Sequence, residues 1–367
     1  MLSLQDQPVF DIEAFKMNLN TKHLFISFLR AALFGILSLT IPSAAAFTQT
    51  CTVSSTLVNS CGPWLGAYAS QYPAATSNLE AQVEYHEQRV GRQMSIVHDY
   101  NPVGDVTISS YDQYFYNRAN TYLFLNWKPA DPWVNGTGCS SNACTATNAQ
   151  IDQMATSIKA LGTKKMFLAL YHEPENNVSV NDAGLSCTLK AGASSGFEAD
   201  YVNMWKNVRS RFDADGVTNV VWVMVYQGYS KFDPCMTNAL WPGNANVDWV
   251  AWDPYDTTGV GWVDTTNFFY NTLVSLSDDE HSYMGRPWML AEFGVGGNLP
   301  QSDAYSYYAA EKTALDNNTY PNIHAYIVFD AIGTLYNQVQ YGGDPTVVLD
   351  PQEQTDYNLF ANDSKLK

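Results

Sequence analysis

Residues 164–175 read KKMFLALYHEPE, an apolar run of strand length that breaks abruptly into polar residues. A continuous apolar run of this length is typical of a parallel strand that is buried on both faces. Pro174 has no N–H to give to a neighbouring strand, so the strand is predicted to stop there. His172 and Glu173 are therefore expected at its carboxyl end, which is where α/β barrels carry their functional residues.

A second stretch of the same kind lies far downstream, at residues 287–294, which read PWMLAEFG. It is again a short apolar strand, and it ends in the single carboxylate of Glu292. In one parallel sheet, Glu173 and Glu292 would lie at the same edge. Two carboxylates on separate strand ends are the minimum that a glycosidase needs.

Six further stretches have the composition of strands, and most of the strands alternate with helical segments. The eight predicted strands are 64–68, 94–100, 121–127, 164–173, 220–226, 247–255, 287–294 and 323–329. This alternation predicts parallel strands with right-handed crossovers, which close most naturally as a single-domain (β/α)8 TIM barrel. An open doubly wound sheet is the alternative, but it requires a glycine-rich first turn that is absent from the appropriate place.

The chain has 367 residues and a net charge of −17. Such an excess of acidic residues argues against binding to nucleic acid, whose phosphates require basic contacts, and against docking on anionic lipid. Aromatic residues make up 14% of the chain, including 23 Tyr and 10 Trp. Aromatic rings fill barrel cores and also stack on sugar rings, so both uses are expected.

The amino-terminal segment has the pattern of a secretory signal. An apolar run at 31–41 follows basic residues, and the small residues of 42–46 supply a cleavage site before Phe47. Residues 1–46 are therefore predicted to be a leader and signal peptide, and residues 47–367 the mature domain. A signal anchor is the alternative, although the run is short for a bilayer span. We expect a secreted, extracellular monomer that does not touch the membrane after cleavage.

The cysteine count agrees with export. All six cysteines lie in the predicted mature part, which implies up to three disulfides among fifteen possible pairings. Closeness in sequence favours two local pairs and leaves one longer pair: Cys51–Cys61, Cys139–Cys144 and Cys187–Cys235. Four sequons are candidate N-glycan sites, at Asn135, Asn177, Asn317 and Asn362.

Motifs of other enzyme classes are absent or incomplete. The sequence contains no CxxC pair and no HExxH helix, so neither a zinc ribbon nor a zincin is expected. Residues 192–196 match the GxSxG pattern of esterases, but no hydrophobic strand precedes them to form a nucleophile elbow. No cofactor and no metal ion is expected, and the expected partner is a polysaccharide or oligosaccharide.

The two strand ends resemble the catalytic positions of clan A glycoside hydrolases, and most of all family 26, which is β-mannanase-like. In that family the acid/base glutamate follows a histidine at the end of the fourth strand, and the nucleophile ends the seventh strand within Glu-(Phe/Tyr)-Gly. The matching stretches are Tyr171-His172-Glu173 and Ala291-Glu292-Phe293-Gly294. The sixth-strand segment 247–255 is also similar, because a tyrosine of the family lies near the nucleophile. The resemblance follows the strand order over most of the mature chain but rests on short pieces of sequence.

This resemblance implies that Glu173 is the acid/base and Glu292 the nucleophile of a retaining β-glycosidase. The negative charge of Glu292 is expected to raise the pKa of Glu173. His172 is expected to orient a carboxylate or bind the sugar, and Tyr255 to donate a hydrogen bond to Glu292. Residues at other strand ends and in the loops are candidate sugar contacts: His98, Asp99, Trp127 and Trp262.

The expected function is endo-acting hydrolysis of β-mannan or a related β-glucan. The family often carries an arginine shortly before the His-Glu pair, where this chain has Ala169 and Leu170. This departure keeps a second hypothesis open, namely a barrel that binds polysaccharide without cutting it. The long polar loop 176–196 is expected to build the binding face, and the tail after Asp350 to be loosely held.

Overall fold

The computed structural model describes residues 50–69, 79–182, 184–185, 187–232, 235–296, 299–331 and 351–367. The predicted leader at residues 1–46 lies outside these ranges.

Parallel strands close into a barrel in the order in which they occur along the chain. They are β1 (Trp64–Ala69), β2 (Ile96–Asn101), β3 (Tyr122–Trp127), β4 (Met166–Leu170), β5 (Val220–Tyr226), β6 (Trp249–Trp252), β7 (Trp288–Leu290) and β8 (Ile323–Asp330). The last strand closes on the first in a continuous register, from Trp64 opposite Ala325 to Ala69 opposite Asp330. The predicted (β/α)8 TIM barrel is confirmed.

Helices follow the strands and pack around the barrel. They are α1 (Leu79–Val90), α2 (Ser110–Asn117), α3 (Asn142–Ala160), α4 (Glu198–Ala214), α5 (Cys235–Ala239), α6 (Gly261–Leu276), α7 (Gln301–Asp316) and α8 (Pro351–Ala361). Short 3-10 turns at Trp133–Gly136 and Pro174–Asn177 lie in the loops after β3 and β4. No helix in the described part of the chain has the length and apolar character that a bilayer crossing requires.

Side chains of the strands alternate between the barrel interior and the layer beneath the helices. On β3, Phe124 belongs to the interior cluster, whereas Leu125 and Trp127 belong to the outer one. On β4, Phe167 likewise faces the interior and Leu168 faces the helices. This alternation determines which residues at the strand ends point into the mouth of the barrel.

The segment before β1 closes the amino-terminal end of the barrel. Leu57 packs in the interior cluster, and its carbonyl oxygen accepts a hydrogen bond from Trp64 Nε1 at 2.6 Å. The carbonyl oxygen of Thr56 accepts one from Trp249 Nε1, also at 2.6 Å. With this end plugged, the carboxyl ends of the strands form the accessible mouth.

The structure forms the three predicted disulfides: Cys51–Cys61, Cys139–Cys144 and Cys187–Cys235. The prediction of a loosely held tail is wrong, because residues 351–361 form α8 and the last residue pairs with β1. Leu65 N–H donates to the Lys367 carbonyl oxygen at 2.9 Å, and Lys367 N–H donates to that of Pro63 at 2.8 Å.

Glu311 is a buried carboxyl group on α7. Its side chain is 1% exposed, and neither of its oxygens has a hydrogen-bond partner among the described residues. Burial therefore raises the pKa of Glu311 well above its ordinary value. The folded protein holds this proton at pH values where the unfolded chain releases it, so stability falls as the pH rises above the ordinary pKa of glutamate.

We predict that Glu311→Gln removes this loss of folding stability at high pH. The variant should match the wild type near pH 4 and gain on it at higher pH, by up to about 1.4 kcal/mol of unfolding free energy per pH unit. Chemical denaturation between pH 4 and pH 8 measures the difference. Glu280→Gln, at an exposed position, is the matched control. A difference between wild type and Glu311→Gln that does not change with pH would contradict the prediction.

Candidate active site

His172 and Glu173 follow β4 in a turn with an unusual backbone. Tyr171 and Glu173 have φ angles of 55° and 50°, a left-handed conformation that residues other than glycine seldom adopt. The Tyr171 N–H donates to the Trp127 carbonyl oxygen at 2.9 Å, and its hydroxyl group lies 2.7 Å from Ser195 Oγ. These contacts hold the turn. The strand ends at Leu170, earlier than the predicted stop at Pro174, because the left-handed backbone at Tyr171 already turns the chain out of the sheet, and Pro174 begins a 3-10 turn.

Glu292 lies just beyond β7, between that strand and a short strand pair. In that pair Tyr255 and Asp256 are opposite Gly294 and Val295. The pair continues the contact between the sixth and seventh strand segments past the barrel. It therefore brings Tyr255 to the side of Glu292, where its hydroxyl group donates to Oε2 at 2.7 Å.

Two further donors reach the other oxygen of Glu292. The Tyr100 hydroxyl group donates to Oε1, and His172 Nε2 lies 3.1 Å from the same atom. Burial alone would raise the pKa of Glu292, but the charge and hydrogen bond of His172 and the hydrogen bond from Tyr100 lower it to about 2. Glu292 is therefore ionised at neutral pH although it is only 7% exposed.

Glu173 has the opposite character. Burial raises the pKa of Glu173, and the negative charge of Glu292 adds to the rise, as expected from the sequence. The charges of His172 and Lys190 and a hydrogen bond with Asp253 oppose it. The net shift is upward, so the two glutamates have pKa values that are displaced in opposite directions.

His172 connects the carboxyl groups of the site. Its Nε2 lies 2.8 Å from Asp253 Oδ2, and its Nδ1 lies 2.7 Å from the Asn126 side-chain amide. Burial alone would lower the pKa of His172, but the charges of Asp253 and Glu292 raise it well above its ordinary value. A cationic ring donates from both nitrogens, so in that state the carbonyl end of the Asn126 amide must face Nδ1.

Asp253 is fully enclosed in this cluster. Burial raises its pKa well above the ordinary value, and although the charge of His172 opposes the rise, Glu292 and Glu173 add to it. His172, Asp253 and Glu292 each offer one ligand atom within 4.8 Å of the others, a spacing that a metal ion would accept. A metal ion would have to displace the proton from His172 Nε2, because a protonated ring nitrogen cannot bind a metal.

His98 supports the site from beneath. Its Nε2 lies 2.6 Å from the Asn126 amide, and its ring stacks on Phe124 with centroids 4.3 Å apart. Burial lowers the pKa of His98 to about 3, so the ring is neutral. Because the side chain is 0% exposed, the prediction that His98 touches sugar is wrong.

Asp99 and Trp127 are not in the cleft, although both were predicted as sugar contacts. The outward side of β2 places Asp99 beside Asp112 of α2, where burial and that neighbouring carboxylate raise the pKa of Asp99 to about 8. Trp127 is 1% exposed and packs against Phe212 of α4. Both predictions are wrong because their neighbours His98 and Asn126 occupy the inward positions.

Trp262 is likewise absent from the cleft. It lies in α6, is fully buried and packs edge-on against Tyr307 of α7, with ring centroids 5.4 Å apart. A ring enclosed in this way has no face to offer a sugar, so this prediction is also wrong. Of the predicted site residues, the structure brings together Glu173, Glu292, His172 and Tyr255.

Sequence reasoning missed Tyr100, Asn126 and Asp253. The strand alternation was the available signal for the first two, because Tyr100 is two residues after His98 and Asn126 is two after Phe124. The cleft also contains a partly exposed aromatic pair, Tyr68 stacked on Phe329 with centroids 4.7 Å apart.

Comparisons with known proteins find a distant relative in sequence and several solved structures with the same fold. Endoglucanase H of Acetivibrio thermocellus is 25% identical over 257 residues, which is 67% of this chain and 26% of that protein. The chain thus spans about a quarter of the length of this relative. No family model matches the chain.

Solved structures of family 26 share the fold. The GH26 domain of an endo-β-mannanase/endo-β-glucanase from Prevotella bryantii superposes with a TM-score of 0.55 at 14% identity, covering 84% of this chain and 90% of that one. The catalytic domain of a GH26 endo-β-1,4-mannanase from Bacillus sp. JAMB-750 gives a TM-score of 0.58 at 15% identity, covering 83% and 87%. The resemblance to clan A and family 26 is confirmed at the level of the fold.

We predict that Tyr255→Phe raises the pKa of Glu292, because the variant loses a hydrogen bond to the ionised form. NMR titration of the labelled Glu292 side-chain carboxyl carbon measures the effect: protonation should begin at a higher pH than in the wild type. Tyr320→Phe is the matched control, since it also loses one hydroxyl hydrogen bond, to Asn267 at 2.8 Å, but far from the site. An unchanged Glu292 titration in Tyr255→Phe would refute the assignment of this donor.

Proposed function

We propose that this family 26-like barrel is an O-glycosyl hydrolase that cleaves a β-linked polysaccharide with retention of configuration. Glu173 is the acid/base and Glu292 the nucleophile of this proposal. The observation that carries it is the pair of glutamates whose pKa values are displaced in opposite directions at one mouth of the barrel. Pairs of titratable groups with such divergent environments typically divide acid and nucleophile roles between them.

In the first step Glu292 attacks the anomeric carbon of the sugar, and the bond between that carbon and the glycosidic oxygen breaks. Glu173 gives its proton to that oxygen, so the leaving sugar departs as a neutral alcohol. The products are a covalent glycosyl ester on Glu292 and an ionised Glu173. This step requires an ionised Glu292 and a protonated Glu173. The low pKa of Glu292 and the raised pKa of Glu173 favour these two states.

In the second step water attacks the same carbon from the face that the leaving group vacated. Glu173 takes a proton from the water, and the bond between the sugar and Glu292 breaks. Both glutamates return to their starting states. Tyr100, Tyr255 and His172 stabilise the Glu292 carboxylate each time it is released.

The substrate class of the proposal is β-mannan or a related β-glucan, cut within the chain. Support comes from the names of the similar proteins, an endoglucanase and endo-β-mannanases. The partly exposed Tyr68–Phe329 pair adds support, because stacked aromatic rings at the mouth of the site suit the C–H face of a sugar.

We predict that Glu292→Ala lowers kcat by at least about 10⁴-fold, because no nucleophile remains. Glu173→Gln should lower kcat about 10²–10⁴-fold on polysaccharide and much less on an aryl glycoside, whose leaving group needs no proton. Glu280→Gln should retain full activity. Reducing-end release and thermal unfolding are measured for every variant. Full activity of folded Glu292→Ala would refute the mechanism.

The panel of substrates for this test is mannan, lichenan, laminarin, xylan and arabinan. Release of new reducing ends from mannan or a β-glucan is the expected outcome. The chain has Ala169 and Leu170 where the family often carries an arginine shortly before the His-Glu pair, and this difference motivates the alternative of a barrel that binds without cutting. Binding to a polysaccharide without new reducing ends, at several pH values, would support that alternative.

We further propose that the protein is secreted. The three disulfides fit an oxidising compartment, and the leader pattern predicts cleavage before Phe47. Amino-terminal sequencing of the protein from culture medium is expected to begin at Phe47. Recovery of the intact leader on membrane-bound protein would support the signal anchor instead.

A further inference from the structure

A chain of hydrogen bonds leads from Glu173 to the surface of the long loop after β4. Asn176 Nδ2 donates to Glu173 Oε2 at 2.9 Å, and Lys190 Nζ donates to Asn176 Oδ1 at 3.0 Å. Asn176 is half-buried and Lys190 is exposed. None of the sugar-cleaving steps above uses Asn176 or Lys190.

The chemistry of the three side chains alone determines which atom donates in each of these hydrogen bonds. An ammonium group has donors and no acceptor, so the Asn176 atom that faces Lys190 must be the carbonyl oxygen. The amide nitrogen then faces Glu173, and its N–H groups can only donate. Glu173 Oε2 is therefore an acceptor in both protonation states of the carboxyl group. The carbonyl oxygen of a carboxylic acid is a better acceptor than its hydroxyl oxygen, so the hydrogen bond from Asn176 to Oε2 favours the proton on Oε1.

We infer that Lys190, acting through Asn176, is a positioning residue that keeps the transferable proton of Glu173 on Oε1. This inference rests on the proposed role of Glu173 as acid/base. An acid that shares its proton between two oxygens presents it to the leaving group only part of the time. One that is restricted to a single oxygen presents it in one place, which is the benefit of a positioned general acid.

The loop is built to hold Lys190 in this position. Its two ends are joined by hydrogen bonds from Ser179 N–H to the Gly196 carbonyl oxygen at 2.7 Å and from Ser195 N–H to that of Asn177 at 3.1 Å. Three residues before Lys190, Cys187 is bonded to Cys235 at the start of α5. The lysine thus projects from a segment that is tied at its ends and near its middle.

The positive charge of Lys190 also lowers the pKa of Glu173, in opposition to burial and to Glu292. Removal of the charge should therefore raise this pKa, and the protonated acid should persist to higher pH. In the pH profile of kcat/KM, the alkaline limb reports this proton and should move upward.

The test compares Lys190→Met, Lys190→Arg, Asn176→Leu and the control Lys231→Met, which removes an exposed lysine from the neighbouring loop. Lys190→Met is expected to move the alkaline limb upward, and Lys190→Arg to restore it. Asn176→Leu is expected to do the same as Lys190→Met and to lower kcat roughly tenfold with little change in KM, since the proton is then free to occupy either oxygen. Lys231→Met is expected to behave as the wild type.

A second readout separates this inference from the proposed function. The side-chain carboxyl carbon of Glu173 is titrated by NMR in each variant, with Glu173→Gln identifying the signal. If the pKa of Glu173 rises in Lys190→Met and returns in Lys190→Arg, the positioning role of Lys190 is supported. This holds even in a protein that cuts no glycan, in which case only the proposed function fails. If the pKa of Glu173 is unchanged in Lys190→Met, or shifts equally in Lys231→Met, the positioning role of Lys190 is overturned even in an active enzyme.

Discussion

Glu292 is a carboxylate that remains ionised in a site where almost none of it touches solvent. Moving such a group out of water is unfavourable by many kcal/mol unless donors and a nearby positive charge replace the lost hydration. Here the replacements come from Tyr100 on β2, His172 after β4 and Tyr255 after β6. A closed barrel is what brings these distant segments to one carboxylate.

The charge balance around His172 explains the remaining protonation states. Three carboxyl groups, those of Glu173, Asp253 and Glu292, interact with this one histidine. A single positive charge can stabilise one full negative charge well, and Glu292 has the most donors. The other two groups are left with raised pKa values, so the proton on Glu173 is a consequence of the charge that Glu292 retains.

The sequence was sufficient to predict the strand order, the barrel and the two strand-end glutamates, because long apolar runs followed by a polar residue mark buried parallel strands. It was much less reliable for the residues around the glutamates. Asp99 and Trp127 stand beside the true inward positions, and a shift of one residue turns a strand side chain from the cleft to the helices. Trp262 was misplaced for a different reason: the sequence indicated a loop, but the residue belongs to a helix face that packs on α7.

Other contacts had no signal in a single sequence. Asp253 meets His172 only because β4 and β6 lie around one barrel, and no spacing along the chain encodes that meeting. Strand alternation indicates that Asn126 faces inward, but not that its amide lies against His172. The tail after Asp350 was misjudged for a related reason. Its composition is polar, but the pairing of Lys367 with β1 uses backbone groups, which every sequence has.

The Cys187–Cys235 bond has a consequence for how ligands would meet this cleft. It joins the loop after β4 to the helix that follows β5, so two adjoining walls are covalently linked before anything binds. A wall that is already ordered loses little conformational freedom when a ligand settles against it, and that saving appears directly as tighter association. The same linkage means that the two walls move together, so an opening of one side of the cleft would carry the other side with it.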